Sequence, residues 1–302
     1  MLCGTIFLAE SPLLPVTDPA TTSGRLPAPC LIGGSGAWPI LLSVPHSGRT
    51  YPDWLIRLSR SGMPALRVME DPLVDRLVWR AQALGIACVV AQAPRAAIDC
   101  NRAEDELDPA VIRLAPGAGH QGWRVRAGLG LVPARAGASG SLWRRPIGGQ
   151  ELDARLADAY RPYHALIAEQ LALLGRRHRQ VLLLDCHSMP WRAGQAGLVI
   201  GDRHSATAAP WLADLARRTA EDAGVRTVLN EPYAGGEIVT LHGRPAAGVH
   251  ALQLEWCRRL YLDSAGTAPG PGFDAVAQAM ERIARTLGDA LLARNAQALA
   301  AE

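Results

Sequence analysis

The chain has 302 residues, of which 49% are hydrophobic and 20% charged, so it is long enough for one large α/β domain with a hydrophobic core. All 31 residues counted as Lys+Arg are arginine, which excludes a Schiff-base lysine, a pyridoxal-phosphate lysine and a Walker-type phosphate loop. The net charge is only +3 and the arginines are dispersed among 28 acidic residues, so no nucleic-acid partner is expected.

Residues 1–38 are rich in Pro, Gly, Ser and Thr and predict an irregular lead-in to a single domain at 39–302. The apolar start of this segment lacks a basic leader region and is too short to span a bilayer. The six cysteines include no CxxC pair, which favours reduced thiols. We therefore expect a cytoplasmic protein without a membrane partner.

Apolar runs alternate with helical patterns along the rest of the chain. Buried strands are predicted at 39–48, 86–94, 181–190, 197–202, 226–230 and 248–256. Helices are predicted at 70–85, 151–178, 207–223 and 272–299. This alternation indicates an α/β fold with three layers, α/β/α, around a mostly parallel mixed central sheet.

Residues 115–150 interrupt this pattern. The segment is rich in Gly and Arg and has little hydrophobic periodicity. A loop of that length is typical of a lid or a binding loop.

Two histidines follow predicted strands, at the sheet edge where open α/β sheets carry their chemistry. His46 comes after the first strand and His187 ends the most apolar one. Two histidines and a carboxylate form a typical catalytic zinc set with an open fourth position. Asp71 is the candidate carboxylate, and Glu70 is its direct rival. Asp185 shares the strand face of His187, where it can orient the imidazole as a hydrogen-bond acceptor.

Glu255 lies inside an otherwise apolar strand. A carboxylate in such a place is costly unless it is paired or coordinated. Two interpretations are open: a functional carboxylate at the sheet edge, or a structural ion pair with an arginine such as Arg258.

Asn101 and Arg102 follow the second long strand and belong to the same sheet edge. The planar guanidinium binds carboxylates bidentately and the amide adds a neutral donor, so the pair can hold a substrate carboxylate. An equally open interpretation pairs Arg102 with Asp99, Glu104 or Asp105.

The segment 230–245 is dense in turn and polar residues. Gly235 and Gly236 allow the backbone to approach a ligand closely. Tyr233 is placed to close over a substrate or to donate a phenolic hydrogen bond.

Several segments, in order, resemble the N-formylglutamate amidohydrolase family: VPHSG, IDCNR, LLLDCHSMP, GDRHS, NEPYAGG and HGRPAAGVHALQLEWCRRLYLD. The resemblance runs from about residue 39 to about residue 263. It implies a fold similar to zinc carboxypeptidases and aspartoacylase. It also implies roles for six residues: metal ligands His46, Asp71 and His187, general base Glu255, and the α-carboxylate pair Asn101 and Arg102.

The resemblance implies hydrolysis of N-formyl-L-glutamate to L-glutamate and formate, with zinc or another divalent transition metal as cofactor. Arg203 is then expected to stabilise the charge on the formyl oxygen, and Arg124 or Arg126 to bind the γ-carboxylate. Two alternatives are open: a metallo-amidase or carboxypeptidase for another N-acyl amino acid or short peptide, and a non-catalytic anion-binding protein of the same fold.

Overall fold

The computed structural model describes residues 24–113, 119, 122–136 and 140–300. The first 23 residues of the predicted lead-in and parts of the predicted loop at 115–150 lie outside the described residues. No helix in the part of the chain that the structure describes is both long enough and apolar enough to cross a bilayer.

A mixed sheet of seven strands forms the middle layer. The strands are β1 (Cys30–Ile32), β2 (Ile40–Val44), β3 (Ala87–Val90), β4 (Val181–Met189), β5 (Leu198–Gly201), β6 (Thr227–Leu229) and β7 (Val249–Cys257). Their order is β1-β3-β2-β4-β7-β5-β6. The pairs β1–β3 and β5–β7 are antiparallel and the others are parallel, which confirms the predicted sheet.

Helices flank the sheet on both faces. They are α1 (Asp53–Leu58), α2 (Gly62–Arg67), α3 (Val74–Leu77), α4 (Trp79–Ala83), α5 (Trp123–Arg126), α6 (Gly149–Arg155), α7 (Arg161–Gly175), α8 (Pro210–Asp222), α9 (Glu237–His242) and α10 (Phe273–Ala300). A π-helical turn, Leu156–Tyr160, joins α6 to α7. Short 3₁₀ turns lie at Pro245–Ala247 and Arg258–Leu260.

Side chains that alternate along the central strands divide the interior into two cores. Leu41, Leu183 and Ala251 pack on the face covered by α7 and α9. Leu42 and Leu252 pack on the other face, which α3, α4, α8 and α10 cover. This parity confirms the three-layer arrangement and places the odd-numbered residues of β2, β4 and β7 on one face.

The prediction of a single helix over 70–85 is wrong. Leu73 has a left-handed backbone (φ 62°), so the helical geometry starts only at Val74. Val78 then separates α3 from α4. The chain before α3 is instead tied to the end of β2, because the Asp71 N–H donates to the His46 carbonyl at 2.9 Å.

Candidate metal centre

Three side chains form a tight triangle at the carboxyl end of β2 and β4. His46 Nδ1, His187 Nδ1 and Asp71 Oδ2 lie 3.1–3.2 Å from one another. Ligand atoms about 2.0–2.1 Å from a tetrahedral zinc ion are separated by about 3.3 Å. All three residues are at most 2% exposed. The triangle therefore has the size and the donor atoms of a metal site.

A carboxylate orients each histidine of the triangle. His46 Nε2 donates to Asp99 Oδ1 and His187 Nε2 donates to Asp185 Oδ2, both at 2.8 Å. Because an ionised carboxylate only accepts hydrogen bonds, each Nε2 carries the ring proton and each Nδ1 of a neutral ring has a lone pair. Two lone pairs 3.1 Å apart repel each other unless a cation lies between them, so the donor set fits a divalent metal.

The electrostatics of the triangle favour positive charge. Burial lowers the pKa of His187, but Asp185 and Asp71 raise it well above its usual value. Burial likewise opposes the ionisation of Asp71, yet the adjacent His187 and His46 rings and the charge of Arg258 hold its pKa well below the usual range. The site thus attracts a proton or a metal ion.

The structure brings Asp71 into the triangle and directs Glu70 away from it. The Glu70 carboxylate accepts a hydrogen bond from the Tyr51 hydroxyl. The second oxygen of Asp71 accepts from Arg258 Nη2 at 2.9 Å. Arg258 is therefore paired with Asp71 and not with Glu255.

Glu255 lies beside the triangle on β7. The parallel register of β4 and β7 places it directly next to His187. Gln253 Nε2 donates to its Oε1 at 2.9 Å. Burial raises the pKa of Glu255 to about 7, against the attraction of His187. The carboxyl group is thus poised to exchange a proton near neutral pH.

The Asn101 amide holds the start of α9 against the sheet. Its Nδ2 donates to Gln253 Oε1 at 3.1 Å, and its Oδ1 accepts from the Ile238 N–H at 2.9 Å. The Gly236 N–H also donates to Gln253 Oε1. A Cβ atom on Gly236 would lie 2.3 Å from Asn101 Oδ1, which explains the need for glycine there.

Most of the Arg102 guanidinium is used by the backbone. Nε donates to the Leu129 carbonyl at 2.7 Å, and Nη1 donates to the Asn101 carbonyl at 2.6 Å. Nη2 lies 3.9 Å from Asp99 Oδ2. The residue is only 8% exposed. Of its three guanidinium nitrogens, Nη2 has the longest and therefore weakest of these contacts with the protein.

Two arginines meet at Gly235. Arg124 Nη2, from α5, donates to the Gly235 carbonyl at 3.2 Å. The exposed Arg203 side chain packs over the same glycine, where a Cβ atom would lie 3.2–3.3 Å from its Cγ and Cδ. Arg126 lies two residues farther along α5 and is exposed. The predicted loop thus delivers Arg124 to the segment that contains the predicted glycines.

Arg203 begins a left-handed turn. Arg203, His204 and Ser205 have φ values of 54°, 56° and 68°. Each such residue costs roughly 1–2 kcal/mol when it is not glycine. The Asn230 side chain holds the turn, since its Oδ1 accepts from the N–H groups of Asp202 and His204.

Tyr233 is half-buried and packs against the small apolar cluster of Met189, Val199 and Cys257. Burial raises its pKa, and the charges of Glu255 and Asp71 raise it further. Its hydroxyl therefore keeps its proton at neutral pH and remains a hydrogen-bond donor.

The sequence patterns did not single out Arg95, and they considered Asp99 only as a partner of Arg102. Arg95 Nε donates to Asp99 Oδ2 at 2.8 Å. Burial lowers the pKa of Arg95, but Asp99, Asp71 and Glu255 raise it above its usual value. Arg95 directly follows a predicted strand, so the rule that selected the histidines applies to it as well.

The comparisons with known proteins identify one family. A family model described as N-formylglutamate amidohydrolase matches residues 38–262. The N-formylglutamate deformylase of Pseudomonas putida is 30% identical over 275 residues, which cover 87% of this chain and 95% of that protein. The N-formylglutamate deformylase of Pseudomonas aeruginosa is 29% identical over 270 residues, or 85% of this chain and 94% of that protein.

Two solved structures are similar over most of the chain. The crystal structure of N-formylglutamate amidohydrolase from Ralstonia eutropha has a TM-score of 0.80 and 28% identity, covering 87% of this chain and 98% of that one. A gene product of Agrobacterium tumefaciens shares the fold, with a TM-score of 0.60, 19% identity and coverage of 88% and 94%. Because the family match includes most of the sheet and all three residues of the triangle, the chain belongs to the N-formylglutamate amidohydrolase family.

Proposed function

We propose that this protein is a metal-dependent amidohydrolase that converts N-formyl-L-glutamate and water to L-glutamate and formate. The observation that carries the proposal is the buried triangle of His46, Asp71 and His187 beside Glu255. The deformylase names of two relatives about 30% identical support the same substrate here.

We assign zinc to the triangle. Two imidazoles and one carboxylate are a typical donor set of catalytic zinc, although cobalt, manganese and iron accept similar ligands. When bound, the ion would supply Lewis acidity and a water molecule with a pKa of about 7. His46, Asp71 and His187 would hold it, and Asp99 and Asp185 would orient the two rings.

Glu255 is the general base of this proposal. Its carboxylate accepts a proton from the attacking water and later delivers it to the leaving amine nitrogen. A group that does both needs a pKa near the working pH, which the value of about 7 for Glu255 supports. The neighbouring position of Glu255 and His187 on parallel strands keeps the carboxylate close to the ligands.

The developing charge on the formyl oxygen needs a cationic partner. Arg203 is our assignment from the sequence, and the partly buried Arg95 is a second candidate, because the charges of Asp71 and Glu255 raise its pKa. The variants Arg203→Gln and Arg95→Gln separate the two. Substitution of the oxyanion partner should lower kcat and kcat/KM together. Substitution of a residue that binds the substrate elsewhere should mainly raise KM.

Basic and backbone groups around the centre would bind the two carboxylates of the substrate. We assign the α-carboxylate to Arg102, through Nη2, with Asn101 as the support of the surrounding loop. We assign the γ-carboxylate to Arg124. Gly235 and Tyr233 would line the space between the two carboxylates. Position 236 must be glycine, because Asn101 leaves no room for a Cβ atom there.

We also propose that residues 39–302 act as one metallo-hydrolase domain in the cytoplasm, with a small N-acyl amino acid as substrate and no nucleic-acid or membrane partner. The single continuous sheet supports one domain. The cysteines of the described residues are all unpaired, which supports a reducing compartment.

Formate release from N-formyl-L-glutamate tests the function. We expect release by the purified protein, loss of release after chelation, and recovery when zinc is restored. Absence of release from folded, zinc-loaded protein would contradict the proposal. The same chelation series on Glu255→Gln controls for contaminating activity.

The contact of Arg124 with the Gly235 carbonyl favours recognition of the substrate side chain by the predicted loop. A panel that varies the acyl group and the amino acid tests this. We expect an acidic side chain to be preferred and the preference to weaken in Arg124→Gln. A faster reaction with another N-acyl amino acid or a short peptide would favour a related metallo-amidase.

A further inference from the structure

A line of buried hydroxyl groups continues from the metal centre into the core. His187 donates to Asp185 Oδ2, and Ser43 Oγ donates to Asp185 Oδ1, each at 2.8 Å. Ser43 Oγ lies 2.7 Å from the hydroxyl of Tyr163. Ser43, Tyr163 and Asp185 are 0% exposed, so water does not replace these hydrogen bonds.

The direction of each hydrogen bond in this line is determined by chemistry. Asp185 accepts from both sides, so the one hydroxyl proton of Ser43 is directed at Asp185 Oδ1. The remaining lone pairs of Ser43 can only accept, and Tyr163 must therefore be the donor to Ser43 Oγ. Burial raises the pKa of Tyr163 well above its usual value, and Asp185 raises it further, so the phenol keeps that proton.

Backbone structure holds the line in place. Ser43 and Asp185 are register partners on the parallel strands β2 and β4. Tyr163 lies on α7, which packs on both strands. The sheet and that helix therefore set the positions of all three residues.

The two histidines of the triangle differ in what supports their carboxylates. Asp99, which orients His46, receives the charged Arg95 guanidinium and the Asn101 N–H. Among the described residues, Asp185 receives only His187 and the neutral hydroxyl of Ser43. Loss of Ser43 would leave Oδ1 of a buried carboxylate without a donor, which is costly.

We propose that Ser43 and Tyr163 are positioning residues for the metal centre: their hydroxyls fix the Asp185 carboxylate, which in turn holds His187 with Nδ1 directed at His46 and Asp71. This inference rests on the metal site of the proposed function. It assigns a role to two residues that touch neither the ligand triangle nor a substrate.

The test compares Ser43→Ala, Tyr163→Phe and the double variant with the wild-type protein. Zinc affinity is measured by competition with a chromophoric chelator, without substrate. Thr219→Val on α8 is the matched control, because it removes a buried hydroxyl that donates only to the Leu215 carbonyl. Circular dichroism and thermal melts verify that each variant is folded.

We expect zinc to bind about tenfold more weakly to Ser43→Ala, the lower end of the effect of outer-shell partners. Tyr163→Phe should weaken binding about threefold, as expected for one neutral hydrogen bond. The double variant should match Ser43→Ala, because Tyr163 acts through Ser43. Thr219→Val should bind zinc like the wild type.

A spectroscopic readout distinguishes positioning from general destabilisation. In zinc-loaded Ser43→Ala, the proton NMR signal of the His187 Nε2–H should shift, and this proton should exchange faster with water than in the wild type. The corresponding signal of His46 should stay unchanged, since Asp99 has its own donors.

Unchanged zinc affinity in both single variants would overturn the inference, and so would additive losses in the double variant. If Ser43→Ala fails to fold, Tyr163→Phe decides alone, and its failure to weaken zinc binding or to move the His187 signal would overturn the inference. Formate release with unaltered zinc binding in the variants would refute this inference and leave the proposed function intact. Weakened zinc binding in the variants, together with no formate release by the wild-type protein, would support this inference and contradict the proposed function.

Discussion

Single hydrogen bonds decide which atom of each histidine faces the centre. Asp99 and Asp185 each occupy an Nε2, so both Nδ1 atoms converge on Asp71. The sequence predicted Asp185 for this orienting position from strand parity alone. It considered Asp99 only as an ion-pair partner, because the turn after β3 that brings Asp99 back to His46 has no periodic pattern.

Glu255→Gln tests the proton-transfer role. We expect zinc binding and thermal stability to remain, because Gln has the same shape and can still pair with Gln253. The kcat/KM for N-formyl-L-glutamate should fall by about 10²–10⁴, the usual contribution of a general base. A rate close to that of the wild type would remove Glu255 from the mechanism.

Gly236→Ala tests the packing of the Asn101 amide. The added Cβ atom would overlap Asn101 Oδ1 and displace the start of α9. We expect the free energy of unfolding to fall by about 1–3 kcal/mol, as for other overpacked sites. Gly149→Ala is the matched control, because nothing lies within 4 Å of its Cβ position. Equal denaturation midpoints for both variants would contradict this explanation.

At the scale of elements, α7 supports the loop that carries the site. The Tyr160 hydroxyl, at the end of the π-helical turn, donates to the Arg102 carbonyl at 2.8 Å. His164 Nε2 donates to the Cys100 carbonyl at 2.9 Å. Tyr163 lies between them in sequence and reaches the sheet. Two polar side chains, those of Tyr160 and His164, thus hold the backbone on both sides of Asn101.

A buried histidine pair predicts how stability depends on pH. His164 Nδ1 lies 3.0 Å from His242 Nε2, and burial lowers the pKa of both rings, that of His242 to about 4. The unfolded chain binds the proton near pH 6.5, so the contribution of His242 is complete above pH 6.5 and is lost as the pH falls toward about 4. Stability should therefore decrease through this window.

The variant His242→Gln isolates that contribution, because Gln can still donate to His164. Between pH 7 and pH 4.5 we expect the wild type to lose about 2 kcal/mol more stability than the variant, measured from urea denaturation. The carboxylates and the metal ligands are the same in both proteins, so the difference between the two pH profiles reports on His242. Parallel pH profiles for the two proteins would refute the role of His242.

At the scale of the whole molecule, the sequence predicted what depends on long apolar patterns. Strands β4 and β7, of nine residues each, and the helices α8 and α10 carry several periods each, so their existence and the three layers followed. Strand β1 and helices α1, α2, α5 and α9 have three to six residues, which is too short for a periodic signal. Their positions depend on tertiary contacts.

The same limit applies to the site. The two histidines of the triangle were predicted because each lies at or near a strand end, whereas Asp71 was predicted from its place at the start of a helical pattern and from the family resemblance. The hydrogen bond of Arg102 Nε to the Leu129 carbonyl was not predictable, since Leu129 lies in the long irregular segment between β3 and α6. The pairing of Arg258 with Asp71 joins residues 187 positions apart, which no local pattern encodes.

Removal of the metal should destabilise the entire fold. The ligands come from β2, the chain before α3, and β4, so the ion links segments distant in sequence. At a zinc concentration 100 times Kd, binding stabilises the native state by about 2.7 kcal/mol. We expect Tm to fall on chelation and to recover with zinc. His187→Ala should show no such response, and an equal response there would place the ion elsewhere.

The π-helical turn gives the long helix of α6 and α7 a fixed length. On its first side, the Arg155 guanidinium lies between the rings of Trp54 and Trp143. On its second side, Tyr163 faces the sheet. An α-helix rotates by about 100° per residue, so deletion of one residue within Leu156–Tyr160 would turn one of these faces away. Substitutions within Leu156–Tyr160 should therefore be tolerated far more readily than a deletion, although a deletion of one residue would turn the π-helical turn into a regular α-helix.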